Sequence, residues 1–268
     1  MGSTLAHYAA AGEKVYYVCS TGGEIGTVEP HFLEEYKTIV KLREHELKCA
    51  ADELRLAGLY YLGYRDSGMP GSPDNDHPDA MTQTTVEEAA GRVVKILREI
   101  KPDVVITHDA GGGYGHPDHV ATHQAVVKAF YAAGDPEQYP EAGPAFKPAK
   151  LYYVVRPHKL MRFMIRMMPL FGQDPHHFGR NKDIDLTKTT EIDYPVHAVI
   201  RYTKKAREMR MRASACHASQ GGGVRRRPGL FRTMEMIEKL MGPRDMFMRE
   251  YPQPTNGRVE KDLLEGLS

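Results

Sequence analysis

Four short runs of β-branched and aromatic residues alternate with stretches of helical spacing, and this alternation limits the folds open to the chain. The runs are residues 14–20, 59–62, 103–107 and 151–155. Each is bounded by glycine or polar residues, the pattern of short buried strands. Residues 1–11 are alanine-rich and stop at Gly12, a helix ahead of the first strand. Residues 32–56 carry Leu33, Tyr36, Ile39, Val40, Leu47 and Ala51 near helical spacing, which predicts one long amphipathic helix ended by Gly58. Thr85 and Glu88 stand in capping-box spacing at the head of a helix over 85–100. Pro117 suits the first turn of another over 117–133. The alternation predicts an α/β fold, Rossmann-like, with a parallel sheet covered by helices on both faces. Ligands in such folds bind beyond the carboxyl ends of the strands.

Charge nearly balances, 36 Lys+Arg against 35 Asp+Glu, so composition gives no reason to expect a nucleic-acid or anionic-membrane partner. No apolar run approaches the ~20 residues that span a bilayer. Residues 1–8 have no basic n-region, which excludes a signal-peptide reading and leads to a cytoplasmic expectation. Cys19, Cys49 and Cys216 are scattered and form no Cys-x-x-Cys pair, so free thiols in a reducing compartment are expected. The length fits a single domain over 1–268. Residues 160–171 are rich in Met and Arg, with Arg162 and Arg166 four apart. They read as a surface helix, or as a lid or a contact in a homo-oligomer, since methionine surfaces adapt to their partners. Residues 204–217 read as a basic helix. Arg225, Arg226 and Arg227 before Pro228 read as a solvated turn, because no aromatic residue interleaves with them.

The chemistry is concentrated in Gly111-Gly112-Gly113-Tyr114-Gly115-His116-Pro117-Asp118-His119, with His123 one helical turn further on. The segment begins where the third strand ends and opens a helix. Its glycines let the backbone approach a ligand closely. Imidazole is the commonest metal-binding side chain, and a nearby carboxylate fixes its tautomer. With 13 histidines in the chain, spacing alone leaves surface residues and metal ligands equally open.

Gly-Tyr-Gly-His-Pro-Asp-His resembles the second signature of the PIG-L/LmbE-like zinc-dependent deacetylases, the N-acetylglucosaminyl-inositol deacetylase and thiol-conjugate amidase type. Ser20-Thr21-Gly22-Gly23-Glu24-Ile25-Gly26 is similar to the family loop after its second strand. Arg43, Glu46 and Tyr64-Arg65-Asp66-Ser67-Gly68-Met69 resemble the family helix and its substrate-facing loop. Lys205 and Ala215-Cys216-His217-Ala218-Ser219-Gln220 resemble its C-terminal helix motif. The resemblance spans most of 1–220 and leaves 221–268 as an extension.

The resemblance implies a zinc-dependent hydrolase that cleaves the linear amide of an N-acetylated aminosugar conjugate. It implies His119 as a zinc ligand. His116 would stabilise or protonate the tetrahedral intermediate, with Asp118 orienting it, and Tyr114 would close on the substrate. Arg43 and Asp66 would contact the sugar. The family's first metal-binding segment, Ala-His-Pro-Asp-Asp, is not among these residues. It would carry two further zinc ligands and the general base. The reading therefore expects a truncated chain with its first strand missing, two unpaired strand edges and impaired activity. His77-Pro78-Asp79 lies in a polar loop and is not expected to substitute. The alternative is a non-catalytic, metal-free binding module that kept the fold. A nucleotide site at 22–26 lacks the Gly-x-Gly-x-x-Gly spacing and a phosphate-binding lysine. No Gly-x-Ser-x-Gly occurs, which weighs against a serine hydrolase.

Overall fold

The computed structural model describes residues 1–156, 158–179, 182–223, 242–255 and 257–267. In chain order the elements are α1 (Gly2–Ala11), β1 (Tyr16–Thr21), α2 (Leu33–Tyr36), α3 (Ile39–Leu54), β2 (Gly58–Tyr64), α4 (Val86–Ile100), β3 (Val104–His108) and the single turn α5 (Gly112–Gly115). They continue with α6 (Pro117–Ala132), β4 (Lys150–Val155), α7 (His158–Met167), β5 (Ala198–Arg201), α8 (Lys204–Cys216) and β6 (Arg244–Tyr251). The chain divides into two compact units, one of residues 1–66 and 201–245, the other of 67–200 and 246–268. The Arg225–Arg227 turn lies outside the described residues.

In the first unit, α1, α3 and α8 pack through small side chains. Ala6, Ala50, Leu54, Ala206, Met209 and Ala213 form one buried cluster. Alanines bring the helix axes close, and Met209 fills the space they leave. A disulfide between Cys49 and Cys216 staples α3 to the end of α8 across 167 residues of chain. The expectation of free thiols is corrected for these two; Cys19 alone is unbonded. The sequence could not show the pairing, because only helix packing brings the two positions together. The bond also removes the support that free thiols gave to a reducing, cytoplasmic compartment.

β1 and β2 pair in parallel, Tyr16 opposite Gly58 and Cys19 opposite Tyr61, with an irregularity before Thr21. The strand at 16–21 is half-buried along its whole length rather than buried. Burial is nonetheless enough to push the Tyr17 hydroxyl up to about 12. The long helix expected over 32–56 is broken. Lys37 has φ 61°, and Thr38 restarts the helix by accepting the Lys41 N–H on its side chain. A threonine that satisfies a free N–H at a helix start favours a new terminus over continuation. The helix ends at Arg55, in the left-handed conformation, and Gly58 begins β2 instead of closing α3.

The second unit holds a four-stranded sheet in the order β3-β4-β6-β5. β3 and β4 are parallel, Val104 opposite Lys150 and His108 opposite Val154. β6 runs antiparallel to β4 and was not legible in the sequence, which gave residues 221–268 only as an extension. Tyr152, Phe130, Phe247, Met81, Leu151, Ile200 and Val94 are among the large, fully buried side chains of this unit. α4 and α6 bury Val93, Val94 and Leu97 from one helix, and Ala125, Ala129 and Phe130 from the other. Arg98 is 3% exposed and donates to the carbonyls of Ala132, Ala133, Asp135, Gln138, Tyr139 and Gly143, which folds the loop before β4 around one guanidinium. Glu260 accepts from Lys150 at 2.9 Å, Arg249 at 2.7 Å and the Tyr152 hydroxyl at 2.6 Å, tying the C-terminal segment to the sheet. α7 forms within the Met- and Arg-rich run as expected, and Arg162 donates to the Thr190 carbonyl at 2.7 Å.

The described strands thus form two separate sheets, β1-β2 and β3-β4-β6-β5. Among the described residues, β1 pairs only with β2 and β3 only with β4, so each leaves the other edge without a strand. No helix is long and apolar enough to cross a membrane among the described residues.

Candidate active site

The second unit builds its site at the carboxyl end of β3. The strand delivers His108 at its last position, and Asp109 turns the chain. One oxygen of Asp109 accepts the N–H groups of Gly111 at 2.9 Å and Gly113 at 3.4 Å. The Tyr194 hydroxyl takes a second share of the Gly111 N–H at 3.1 Å. Gly112 follows with φ 65°. A Cβ there would lie 2.9 Å from the Val120 side chain and 3.0 Å from its nitrogen, so the turn admits only glycine.

α6 then starts on His116. Its ring Nδ1 accepts the Asp118 N–H at 3.2 Å, an imidazole in the place usually taken by Ser, Thr or Asp. A nitrogen that accepts carries no proton, so the neutral ring holds its proton on Nε2. Asp118 is buried in the first turn, where the helix dipole favours its charge. Its Oδ2 accepts the Ser67 N–H at 3.2 Å and lies 3.9 Å from His116 Nδ1. Asp118 therefore reaches His116 twice, through its main chain now and through its carboxylate should Nδ1 become protonated.

His119 is fixed in the other tautomer. Its Nδ1–H donates to the Gly112 carbonyl at 3.0 Å, so Nε2 carries the lone pair. His123 repeats the arrangement, donating from Nδ1 to the His108 carbonyl at 2.9 Å. The His108 and His119 rings stack with centroids 4.1 Å apart and planes 10° apart. Tyr114 stands edge-on to His119 at 5.1 Å and to His116 at 6.0 Å. Burial, reinforced by the neighbouring imidazoles, holds His108 down at about 4. Burial lowers His119 too, against the raising effect of its bond to Gly112 and of Asp118. Neutral imidazoles with one nitrogen bonded to a carbonyl are what a divalent zinc-type ion requires of its ligands. His119 fits that role. His116 and Asp118 offer a second nitrogen and carboxylate nearby, so His119 is not the sole ligand candidate in this unit.

The sequence-derived residues Tyr114, His116, Asp118 and His119 thus come together within the second unit. Arg43 and Asp66 lie in the first. The Arg43 guanidinium lies over the glycine loop so closely that a Cβ on Gly23 or Gly26 would collide with it. Asp66, 9% exposed, donates its N–H to Glu24 at 2.9 Å. One turn along α3 from Arg43, the buried Glu46 accepts the Ser219 N–H at 2.7 Å, the Ser219 hydroxyl at 2.9 Å and the Gln220 amide at 3.1 Å. His217 faces the same carboxylate at 4.0 Å, and burial lowers its pKa. His77 accepts the N–H of Asp79 on its ring Nδ1, a contact within its own loop. Sequence reasoning missed His108, Asp109 and Tyr194. The first two directly continue a strand that points at the glycines, which was a usable signal. Tyr194 lies 83 residues beyond Gly111 and gave none.

Geometry and topology define a class: a Rossmann-like α/β protein whose glycine-rich loop at a strand end carries imidazoles and a carboxylate. The family model described as PIG-L, GlcNAc-PI de-N-acetylase, matches residues 1–130. A 1D-myo-inositol 2-acetamido-2-deoxy-alpha-D-glucopyranoside deacetylase of Geodermatophilus obscurus is 34% identical over 99% of this chain and 92% of its own length. A protein named as deacetylase 1 of the same substrate in Catenulispora acidiphila is 36% identical over 99% of this chain and 84% of its own. The conserved protein TT1542 of Thermus thermophilus shares the fold, with a TM-score of 0.59 at 18% identity over 95% of this chain and 89% of that one. The chain belongs to the PIG-L family.

Proposed function

We propose that this protein is a zinc-dependent N-deacetylase that hydrolyses the amide of an N-acetylated aminosugar conjugate, releasing acetate and the free amine. The observation that carries the reading is His119 at the strand-end loop, its Nδ1–H bound to Gly112 and its Nε2 lone pair left for a metal. The reading is supported by relatives about one-third identical along nearly the whole chain, which are named for deacetylating an N-acetylglucosaminyl inositol. Zinc in such a site polarises the amide carbonyl and lowers the pKa of bound water toward ~7.

The chain's own residues supply the rest. His119 holds the metal. His116, with its proton on Nε2, donates to the oxygen on which charge develops, or returns a proton to the leaving amine. Asp118 holds the His116 ring in position and supports it once it is charged. Tyr114 stands at the edge of both rings and closes over the acetyl group. Arg43 and Asp66 bind the sugar hydroxyls.

The test is zinc affinity by chelator competition together with acetate release from the inositol glycoside, on one preparation. His119→Ala is expected to lose zinc and any acetate release, and His116→Ala to keep zinc. Full zinc affinity in His119→Ala would overturn the assignment. Loss of zinc in His116→Ala would move the ligand role to the His116 and Asp118 pair.

A further inference from the structure

His108 takes no part in the chemistry above, yet it is the group on which the α6 histidines rest. It closes β3 and is paired in register with Val154, so its main chain is fixed by the sheet. Its carbonyl accepts the His123 Nδ1–H at 2.9 Å. Its ring lies flat against the His119 ring, 4.1 Å between centroids and 10° between planes. His119 has two side-chain torsions. The hydrogen bond to Gly112 fixes the direction of Nδ1, but a single bond leaves the ring free to rock about that axis. A flat, half-buried neighbour on one face removes that freedom and so fixes where the Nε2 lone pair points.

We propose that His108 is a positioning residue for His119, a flat platform at the end of β3 that sets the plane of the metal-binding imidazole. The proposal rests on the reading of His119 as a metal ligand. Groups behind a ligand that fix its ring orientation are worth about ten- to a hundredfold in metal affinity. The role requires a flat ring and not an imidazole as such, because stacking depends on an aromatic face in close parallel contact. Phenylalanine at position 108 should therefore serve, and a side chain of similar bulk without a flat face should not.

The experiment uses the full chain labelled with 15N, with the His119 ring observed by long-range 1H–15N correlation before and during titration with Zn2+ alone. In the metal-free wild type, His119 is expected as the single Nδ1–H tautomer. His108→Phe is expected to keep that pattern and to bind Zn2+ within about threefold of wild type. His108→Leu is expected to keep the Nδ1–H tautomer but to broaden the His119 ring signals, and to weaken Zn2+ binding by about ten- to a hundredfold, while the amide spectrum stays dispersed. An unchanged His119 pattern and affinity in His108→Leu overturn the proposal, as does equal loss in His108→Phe and His108→Leu. His119→Ala is the separate control. If it binds Zn2+ as tightly as wild type, the ligand reading itself fails, whatever the position 108 variants do.

Discussion

The two units solve the same problem, holding polar side chains in place, by opposite routes. In the first, the groups that meet are far apart in sequence: Glu46 on α3 accepts from Ser219 and Gln220, and Cys49 is bonded to Cys216. In the second, the site is nearly contiguous. Asp109 ties the glycines, Gly112 ties His119, and Asp118 ties His116, all within one strand–loop–helix passage. A local site is rigid because the turn and the helix start are themselves hydrogen-bonded through its side chains. A discontinuous site is only as rigid as the helix packing and the covalent staple that bring its parts together. The first unit should therefore respond to reductant and the second to pH and to single substitutions in its loop.

The largest expected effect tests whether the second unit's loop carries the chemistry. His116→Ala should cost about two to four orders of magnitude in kcat, the range for a lost oxyanion donor or general acid. KM should change much less, because the interaction forms mainly in the transition state. Steady-state kinetics with zinc content checks this. Unchanged kcat would leave His116 a helix cap and nothing more.

Next is the staple. Reduction of the Cys49–Cys216 bond, or Cys49→Ala with Cys216→Ala, should destabilise the first unit by about 2–4 kcal/mol, the usual worth of a native disulfide. Hydrogen exchange is the measurement, since it reads both units in one sample. Amides of α1, α3 and α8 should lose protection while those of α4 and α6 keep theirs. Equal loss in both would break the comparison.

Acid should act the other way. His108 is held at about 4 in the folded chain against an ordinary value of 6.5. The unfolded state then binds more protons between those values, so stability rises with pH across the window and is fully present above about 6.5. Falling from pH 6.5 to pH 4 should remove on the order of 3 kcal/mol or less. Denaturant unfolding against pH, in wild type and His108→Phe, checks the sign. The slope should shrink in the variant.

The smallest effect concerns a purely local device. Thr85 accepts the Glu88 N–H at 3.2 Å at the start of α4. Thr85→Ala should cost about 1 kcal/mol in chemical denaturation, with no change in zinc affinity.

These features differ in how far the sequence announced them. The α4 cap, the Gly12 stop and the glycine–histidine loop at the end of β3 depend on neighbours within a few residues, and their side-chain chemistry dictates the local backbone. They were legible for that reason, as were the strand–helix alternation and the family resemblance carried by the His116–His119 stretch. The break at Lys37 and Thr38 was missed because apolar spacing continued across it, while one hydroxyl bond at Thr38 decided the matter. What the tertiary structure alone decided involves partners distant in sequence: the Cys49–Cys216 bond, the Tyr194 hydroxyl on Gly111, the carboxylate of Glu46 on residues 219 and 220, and β6 beside β4. The amino-acid sequence by itself set the local turns and the tautomers they allow. Which distant groups meet them follows from helix packing and strand order, where the free energy lies in burial shared by many residues and no short motif records it.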